Sequence, residues 1–97
     1  MKVLIVCNGG MSSSILMKKM RIAAEEAEMD VVIEARPNSG LDEEIGKWDV
    51  CLLGPQIIYA LENVKKILGI PTASVDTRVY ALADGKKALE QAIALIK

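Results

Sequence analysis

The sequence predicts an α/β fold, a single domain in which a four-stranded parallel sheet in the order 2-1-3-4 carries helices on both faces. Short apolar runs alternate along the chain with amphipathic helical segments, which is typical of a parallel sheet. The apolar runs show no polar–apolar alternation, as expected for strands that are covered on both faces. With 97 residues, of which 52% are hydrophobic, the chain fits one domain over residues 1–97.

The first strand is predicted over residues 2–6, an apolar run that leads directly into Cys7. Glycines at positions 9 and 10 indicate a tight turn. A helix is then predicted over residues 12–28, because apolar residues recur there at helical spacing. In the predicted strand order, Cys7 lies at the carboxyl end of strand 1, beside the reversal of strand order where ligands bind in such sheets.

The middle of the chain continues the alternation of strands and helical segments. A second strand is predicted at residues 31–33, followed by a turn at 37–40 that is rich in turn-forming residues. A short helical turn is predicted at 41–47, capped by Asp42. The third strand is predicted at 50–53, where Gly54-Pro55 ends it.

The last third of the chain is predicted to hold three helical segments and a short strand. Apolar residues at helical spacing predict a helix over 56–68, which Gly69 ends. The fourth strand is predicted at 72–75. Asp76 is expected to cap a short helix, a role that we favour over that of a general acid at a strand end. Asp84-Gly85 is expected to begin the last helix.

Composition excludes several classes of function. The net charge of −1 does not indicate nucleic-acid binding or a polybasic membrane patch. The chain has no His, so it holds no His-based triad and no phosphohistidine, and its two Cys make a poor metal site; we expect neither a metal nor a cofactor. No signal peptide and no membrane-spanning stretch are recognisable, which predicts a cytoplasmic protein. Thiols stay reduced in that compartment, so Cys51 is expected to pack as an apolar residue without a disulfide to Cys7.

The segment from Cys7 to Ser14 carries the strongest functional signal. Its glycines can converge backbone N–H groups on an anion, and the helix start adds partial positive charge. The same field stabilises a thiolate, which predicts a nucleophile at Cys7. The alternative is a plain strand–helix turn. The expected phosphate-binding residues are Asn8, Gly9, Gly10, Met11, Ser12, Ser13 and Ser14.

Low-molecular-weight cysteine phosphatases, whose fold the predicted one resembles, offer a comparison. Their signature is a Cys, five residues and an Arg, and the Arg position is Ser13 here. Without that Arg the loop can hold a phosphoryl group but is poorly equipped to hydrolyse it rapidly. A protein that stores phosphate on a thiol benefits from slow hydrolysis.

Two segments together resemble a known family. The loop that begins at Cys7 is similar to the pattern Cys-x-x-Gly-Met-Ser-Thr-Ser, with Ser13 in place of Thr, and the segment from Leu52 to Ile57, followed by Tyr59, matches a second motif. Both are found in the IIB component of the bacterial sugar phosphotransferase system, in the lactose/cellobiose/chitobiose group. The resemblance covers essentially the whole chain.

The resemblance implies a phosphoryl carrier. Cys7 would accept the group from a phosphohistidine of the IIA protein and pass it to a sugar, such as a disaccharide, bound by the membrane transporter IIC during uptake. The protein would act in the cytoplasm and transiently at the inner face of the cell membrane. The absence of His from this chain agrees with a donor histidine on the partner.

Two further residues are candidates for a contact with the partner or the phosphate. Gln56 and Tyr59 follow Gly54-Pro55 at the end of strand 3, next to the predicted loop, although a simple helix start is an equal alternative. The alternatives for the whole chain are a small cysteine-dependent phosphatase or arsenate-type reductase, and an anion-sensing module without catalysis.

Overall fold

The computed structural model describes residues 1–8 and 11–96 of the chain. Over this part, four parallel strands form one sheet in the order β2-β1-β3-β4, which confirms the predicted fold class and strand order. The strands are β1 (Lys2–Cys7), β2 (Val32–Pro37), β3 (Val50–Leu53) and β4 (Thr72–Ser74).

Each strand is followed by helical structure, which after β2 is a 3₁₀ helix alone. The α-helices are α1 (Met11–Glu26), α2 (Leu61–Leu68), α3 (Thr77–Ala81) and α4 (Gly85–Leu95), and the 3₁₀ helices are Leu41–Glu44 and Pro55–Ala60. Asp76 caps α3 by accepting from the backbone N–H groups of Arg78 and Val79, at 2.9 and 3.3 Å, and Asp84 caps α4. Asp76 therefore acts as a helix cap, as predicted, and Asp84 caps the last helix, which the sequence predicts to begin at Asp84-Gly85.

The sheet separates two apolar cores, because successive side chains of a strand project from opposite faces. Val3 and Ile5 of β1 pack on one face with α1, α3 and α4. Leu4 and Val6 pack on the other face with α2 and the 3₁₀ helices. Helices thus cover both faces, as the unbroken apolar strands predict.

Several predicted element boundaries are wrong; the helix predicted over 12–28, for example, is α1 (Met11–Glu26). The second strand extends to Pro37, because the β2 residues after Ile33 continue the ladder with β1. The helix predicted over 56–68 is divided into a 3₁₀ helix and α2, since Ile57 has non-helical angles of φ −118° and ψ 29°. The residue at the N-cap of the 3₁₀ helix Leu41–Glu44 is Gly40, not Asp42.

The described residues contain no helix of the length and apolar character required to cross a membrane.

Candidate functional site

Cys7 is the last residue of β1, at the carboxyl edge of the sheet between β2 and β3. Its carbonyl oxygen accepts a hydrogen bond of 2.9 Å from the N–H of Asn38, and the carbonyl of Val6 accepts one of 3.0 Å from the N–H of Gly54. The connections that follow β2 and β3 are therefore attached to the end of β1 on both sides. Cys7 itself is 6% exposed.

Among the described side chains of the predicted loop, that of Ser13 reaches the thiol. Ser13 lies in the first turn of α1, which begins four residues after Cys7 and so stands over the end of β1. Its hydroxyl donates a hydrogen bond of 2.8 Å to Cys7 Sγ, and the residue is only 1% exposed. A buried neutral donor thus occupies the sequence position where the cysteine phosphatases have a cationic Arg.

The amino terminus of α1 contributes further positive character near the thiol. The first N–H groups of a helix lack intrahelical partners, and the helix dipole places partial positive charge there. Acidic residues are favoured at such positions in other helices, but the first turn of α1 has none. This end of α1 therefore lacks an internal carboxylate that would repel an anion.

The part of Arg36 on β2 that lies near the thiol is its backbone carbonyl, whereas its guanidinium is ion-paired elsewhere. Its carbonyl oxygen lies 3.9 Å from Cys7 Sγ, at the distance of a weak hydrogen bond from a thiol. Its guanidinium is engaged by the carboxylates of Glu34 and Glu44, at 3.7 and 3.9 Å, and by the carbonyl of Ala35. The described contacts of Arg36 are thus those of an ion-paired surface residue.

Two other residues of the predicted loop face the solvent. Asn8 and Ser14 are exposed. Gly9 and Gly10 lie outside the described residues. Met11 and Ser12 begin α1, but their side chains also lie outside what the structure describes.

Gln56 and Tyr59 occupy the 3₁₀ helix Pro55–Ala60 but differ in direction. The side chain of Gln56 folds back toward the end of β3, so that its Oε1 lies 2.9 Å from the point where a Cβ on Gly54 would stand. Tyr59 is 79% exposed. The structure therefore brings Gln56 to the carboxyl edge of β3 and leaves Tyr59 as a solvent-facing ring.

Tyr80 of α3 is a neighbour of this edge that the sequence analysis missed. Its hydroxyl oxygen lies 3.4 Å from the same Cβ point of Gly54, and the residue is buried. The available signal was Gly54 itself, since a glycine that ends a buried strand often marks a close approach by another group.

The second thiol, Cys51, belongs to the opposite face of the sheet. It is fully buried among the apolar residues of the α2 side, and burial raises its pKa from 9.0 to about 12. Both cysteines are free, which confirms that they form no disulfide. Cys51 therefore packs as an apolar residue, as predicted.

Comparisons with known proteins point to one family. The family model described as "PTS system, Lactose/Cellobiose specific IIB subunit" matches residues 2–91. The chain is 35% identical to the oligo-β-mannoside-specific EIIB component of Bacillus subtilis, over 98% of this chain and 95% of that one. It is 33% identical to the cellobiose-specific EIIB component of Lactococcus lactis, over 93% of this chain and 91% of that one.

Solved structures are similar over the whole chain. The lactose-specific IIB domain of Streptococcus pneumoniae superposes with a TM-score of 0.85 at 22% identity, covering 100% of this chain and 98% of that one. The cellobiose-specific IIB protein of Borrelia burgdorferi gives a TM-score of 0.82 at 31% identity, covering 99% and 91%. The fold is thus the one that IIB domains share with low-molecular-weight phosphatases.

Proposed function

This chain belongs to the lactose/cellobiose-specific IIB family of the sugar phosphotransferase system, a family of phosphoryl carriers in sugar uptake, and we propose that Cys7 is the residue that carries the phosphoryl group. The observation that supports Cys7 is the 2.8 Å hydrogen bond from Ser13 at the amino terminus of α1. A hydroxyl donor and a helix start favour negative charge on the sulfur. The other thiol, Cys51, is buried on the far face and held protonated.

The first transfer uses the sulfur of Cys7 as the nucleophile. The sulfur attacks the phosphorus of a phosphohistidine on a IIA protein, so the S–P bond forms as the P–N bond breaks. The leaving imidazole nitrogen takes up the proton that the thiol loses. Ser13 assists by donating to the sulfur. In the proposed mechanism, backbone N–H groups of the predicted loop from Asn8 to Ser14 would receive the phosphoryl oxygens.

The second transfer passes the phosphoryl group to the sugar and restores the free thiol of Cys7. A hydroxyl oxygen of a sugar bound by the membrane transporter IIC attacks the phosphorus, the S–P bond breaks, and the hydroxyl proton restores the thiol. The sulfur is a better leaving group when its developing charge is stabilised, and the hydrogen bond from Ser13 serves this step as well. A phosphatase uses an Arg at this position to promote transfer of the phosphoryl group to water. Because this chain has Ser13 there instead, hydrolysis of the phosphocysteine is slow.

The family supports a proposal for the partners and for the class of sugar. We assign a phosphorylated IIA protein as donor and IIC with a bound sugar of the cellobiose, chitobiose or lactose type as acceptor, so the protein would work at the inner face of the cell membrane. The relatives are named for oligo-β-mannosides, galactose and cellobiose, which supports a sugar substrate of this group. Selection of the sugar would lie with IIC, because this domain handles only the phosphoryl group.

Mass spectrometry after incubation with a phosphorylated IIA protein of this family tests the role of Cys7. We expect the wild type and Cys51→Ser to gain one phosphoryl group and Cys7→Ser to gain none, because only Cys7 has the described hydroxyl donor beside it. Membranes that contain IIC and the sugar should then remove the group. A Cys7→Ser variant that still took up phosphate and supported sugar phosphorylation would contradict the proposal.

An aryl phosphate assay addresses the phosphatase alternative. A carrier should release little aryl alcohol in the absence of IIA, because the loop lacks the Arg that stabilises the transition state for transfer to water. Steady multiple turnover that is lost in Cys7→Ser would instead support a small cysteine-dependent phosphatase.

A further inference from the structure

β2 is one of the two edge strands of the sheet. In the part of the chain that the structure describes, it pairs with β1 alone, and its six residues make it longer than β4, the other edge strand, which has three. The unpaired side of an edge strand presents N–H and C=O groups that can pair with a strand of another chain. The β2 edge is therefore the place where this sheet is most open to strand addition.

The backbone groups of β2 that face the open side belong to its odd-numbered residues. The N–H of Val32 donates to the carbonyl of Met1, next to β1, at 3.0 Å. In a parallel pair the backbone groups of every second residue point to the neighbouring strand, so the carbonyls of Ile33 and Ala35 point away from β1. Pro37, the next residue of this series, has no N–H that a further strand could use.

Two guanidinium groups occupy the outward carbonyls of β2. Arg21 of α1 donates to the carbonyl of Ile33 through Nε and Nη2, at 3.0 and 2.6 Å. Arg36 donates to the carbonyl of Ala35 through Nη1, at 3.0 Å. The carboxylate of Glu34 contacts both cations, at 3.2 Å from Arg21 and 3.7 Å from Arg36. The acceptors of the open side are thus covered by two cations that share one carboxylate.

The other edge of the sheet has an outward carbonyl that is covered in the same way. The N–H of Val75 donates to the carbonyl of Leu53 on β3 at 2.8 Å, so the carbonyl of the preceding residue, Ser74, points to the open side of β4. Gln91 of α4 donates to it through Nε2 at 2.9 Å. Side chains therefore cover outward carbonyls at both edges, which indicates closure of the sheet and not a single chance contact of α1.

We propose that Arg21, Glu34 and Arg36 form an edge clamp that closes β2 to strand addition, and that the partner it excludes is a second copy of this chain. The inference is independent of the proposed role of Cys7. Two copies of β2 can meet in antiparallel orientation about Glu34, so that the outward groups of Ile33 in each copy pair with those of Ala35 in the other. The two Glu34 carboxylates would then face each other, and like charges directly opposite destabilise a strand pair.

A variant that combines Arg21→Ala, Glu34→Gln and Arg36→Ala tests the inference, because it uncovers both carbonyls and removes the opposed charges. The three side chains are between 38 and 44% exposed, so the core is left intact. We expect light scattering to show a monomeric wild type and a variant whose molar mass doubles as its concentration is raised. In the associated variant the amide hydrogens of Ile33 and Ala35 should exchange about tenfold more slowly than in the wild type.

Two single variants complete the experiment. Arg78→Ala is the matched control, since Arg78 is an exposed Arg of α3 whose described hydrogen bonds do not involve β2, and it should behave as the wild type. Arg21→Ala removes one exposed side chain from a helix and uncovers Ile33 alone, so it should fold and should associate more weakly than the combined variant.

Three results would overturn the inference. One is a combined variant, or an Arg21→Ala protein if the combined variant does not fold, that keeps the wild-type molar mass at every concentration. Another is association that leaves exchange at Ile33 and Ala35 unchanged, because the contact would then lie elsewhere. The third is a wild type whose Ile33 and Ala35 amides become protected as its concentration rises, because the clamped edge would then be open to a second copy.

Discussion

Among the described residues, two polar groups contact the sulfur of Cys7, and they do so in different ways. Ser13 donates to the sulfur at 2.8 Å, whereas the carbonyl of Arg36, at 3.9 Å, can only accept the thiol hydrogen. Loss of the proton removes the contact with Arg36 and turns the contact with Ser13 into a charge-assisted hydrogen bond. The hydrogen bond from Ser13 therefore stabilises the thiolate both when it attacks phosphorus and when it leaves.

Ser13→Ala should slow the reaction of Cys7 with its phosphoryl donor by about tenfold, because the thiolate loses one charge-assisted hydrogen bond. The rate of phosphorylation by IIA, measured by rapid quench, checks this expectation. Alkylation of Cys7 by iodoacetamide should slow in the same variant, which shows that the effect lies in the sulfur itself.

Ser13→Thr serves as the control, since it retains the hydroxyl and places the residue of the resembled family pattern at this position. We expect this variant to react at close to the wild-type rate. A Ser13→Ala protein that reacted as fast as Ser13→Thr would remove the hydroxyl from the mechanism.

The 3₁₀ helix Pro55–Ala60 determines which side chains are buried and which are exposed directly after β3. A continuous α-helix over 56–68 would follow the heptad-like apolar spacing of that segment, but Pro55 and the non-helical angles of Ile57 set a different start. As a result, Ile57 is buried while Ile58 and Tyr59 are 57% and 79% exposed. Two adjacent apolar side chains thus face solvent on the element that directly follows β3.

We expect Tyr59→Ala to weaken docking of the IIA protein and leave the fold unchanged, because a large exposed aromatic side chain on the element that follows β3 is suited to a protein contact. The dissociation constant for IIA, measured by titration calorimetry, should rise about tenfold for a residue of this kind. Ile96→Ala is the control, since Ile96 is 42% exposed and follows the end of α4. Equal dissociation constants for the two variants would mean that Tyr59 is not at the interface.

The sequence predicts the elements of this fold better than their contacts. Apolar runs and helix caps are local signals, so the four strands and the cap at Asp76 are confirmed. The strand order is confirmed as well, because general rules for parallel α/β sheets leave few orders to choose from. The approach of Tyr80 to Gly54 depends on the register of β1 with β3 and on the packing of α3, which no local pattern contains. Ser13 is an intermediate case, because the loop pattern predicts a hydroxyl near the thiol but not which of the three serines supplies it.

The whole molecule is organised by the two faces of its sheet. The face with α1 and α4 carries Cys7 at its carboxyl edge, where polar groups from α1 and α3 gather. The face with α2 contains Cys51 inside an apolar cluster. The two cysteines therefore have different environments, because their side chains project from opposite faces of the sheet.

Burial of Cys51 links the stability of the whole molecule to alkaline pH. The folded state keeps this thiol protonated up to about pH 12, whereas the unfolded chain releases the proton from pH 9.0 upward. Between these values the folded state binds more protons, so the free energy of unfolding falls as pH rises. Over this interval the free energy of unfolding falls by at most about 4 kcal/mol, at about 1.4 kcal/mol per pH unit.

Cys51→Ala should remove this pH dependence. The variant loses about 1–2 kcal/mol at neutral pH, because a small cavity replaces the sulfur. Between about pH 8 and about pH 10.5, however, the wild type should lose about 2 kcal/mol more of its unfolding free energy than the variant does. Urea unfolding at several pH values measures both slopes, and all other titrating groups are common to the two proteins. Parallel slopes would mean that the Cys51 thiol ionises equally in the folded and unfolded chains, contrary to its burial on the α2 face.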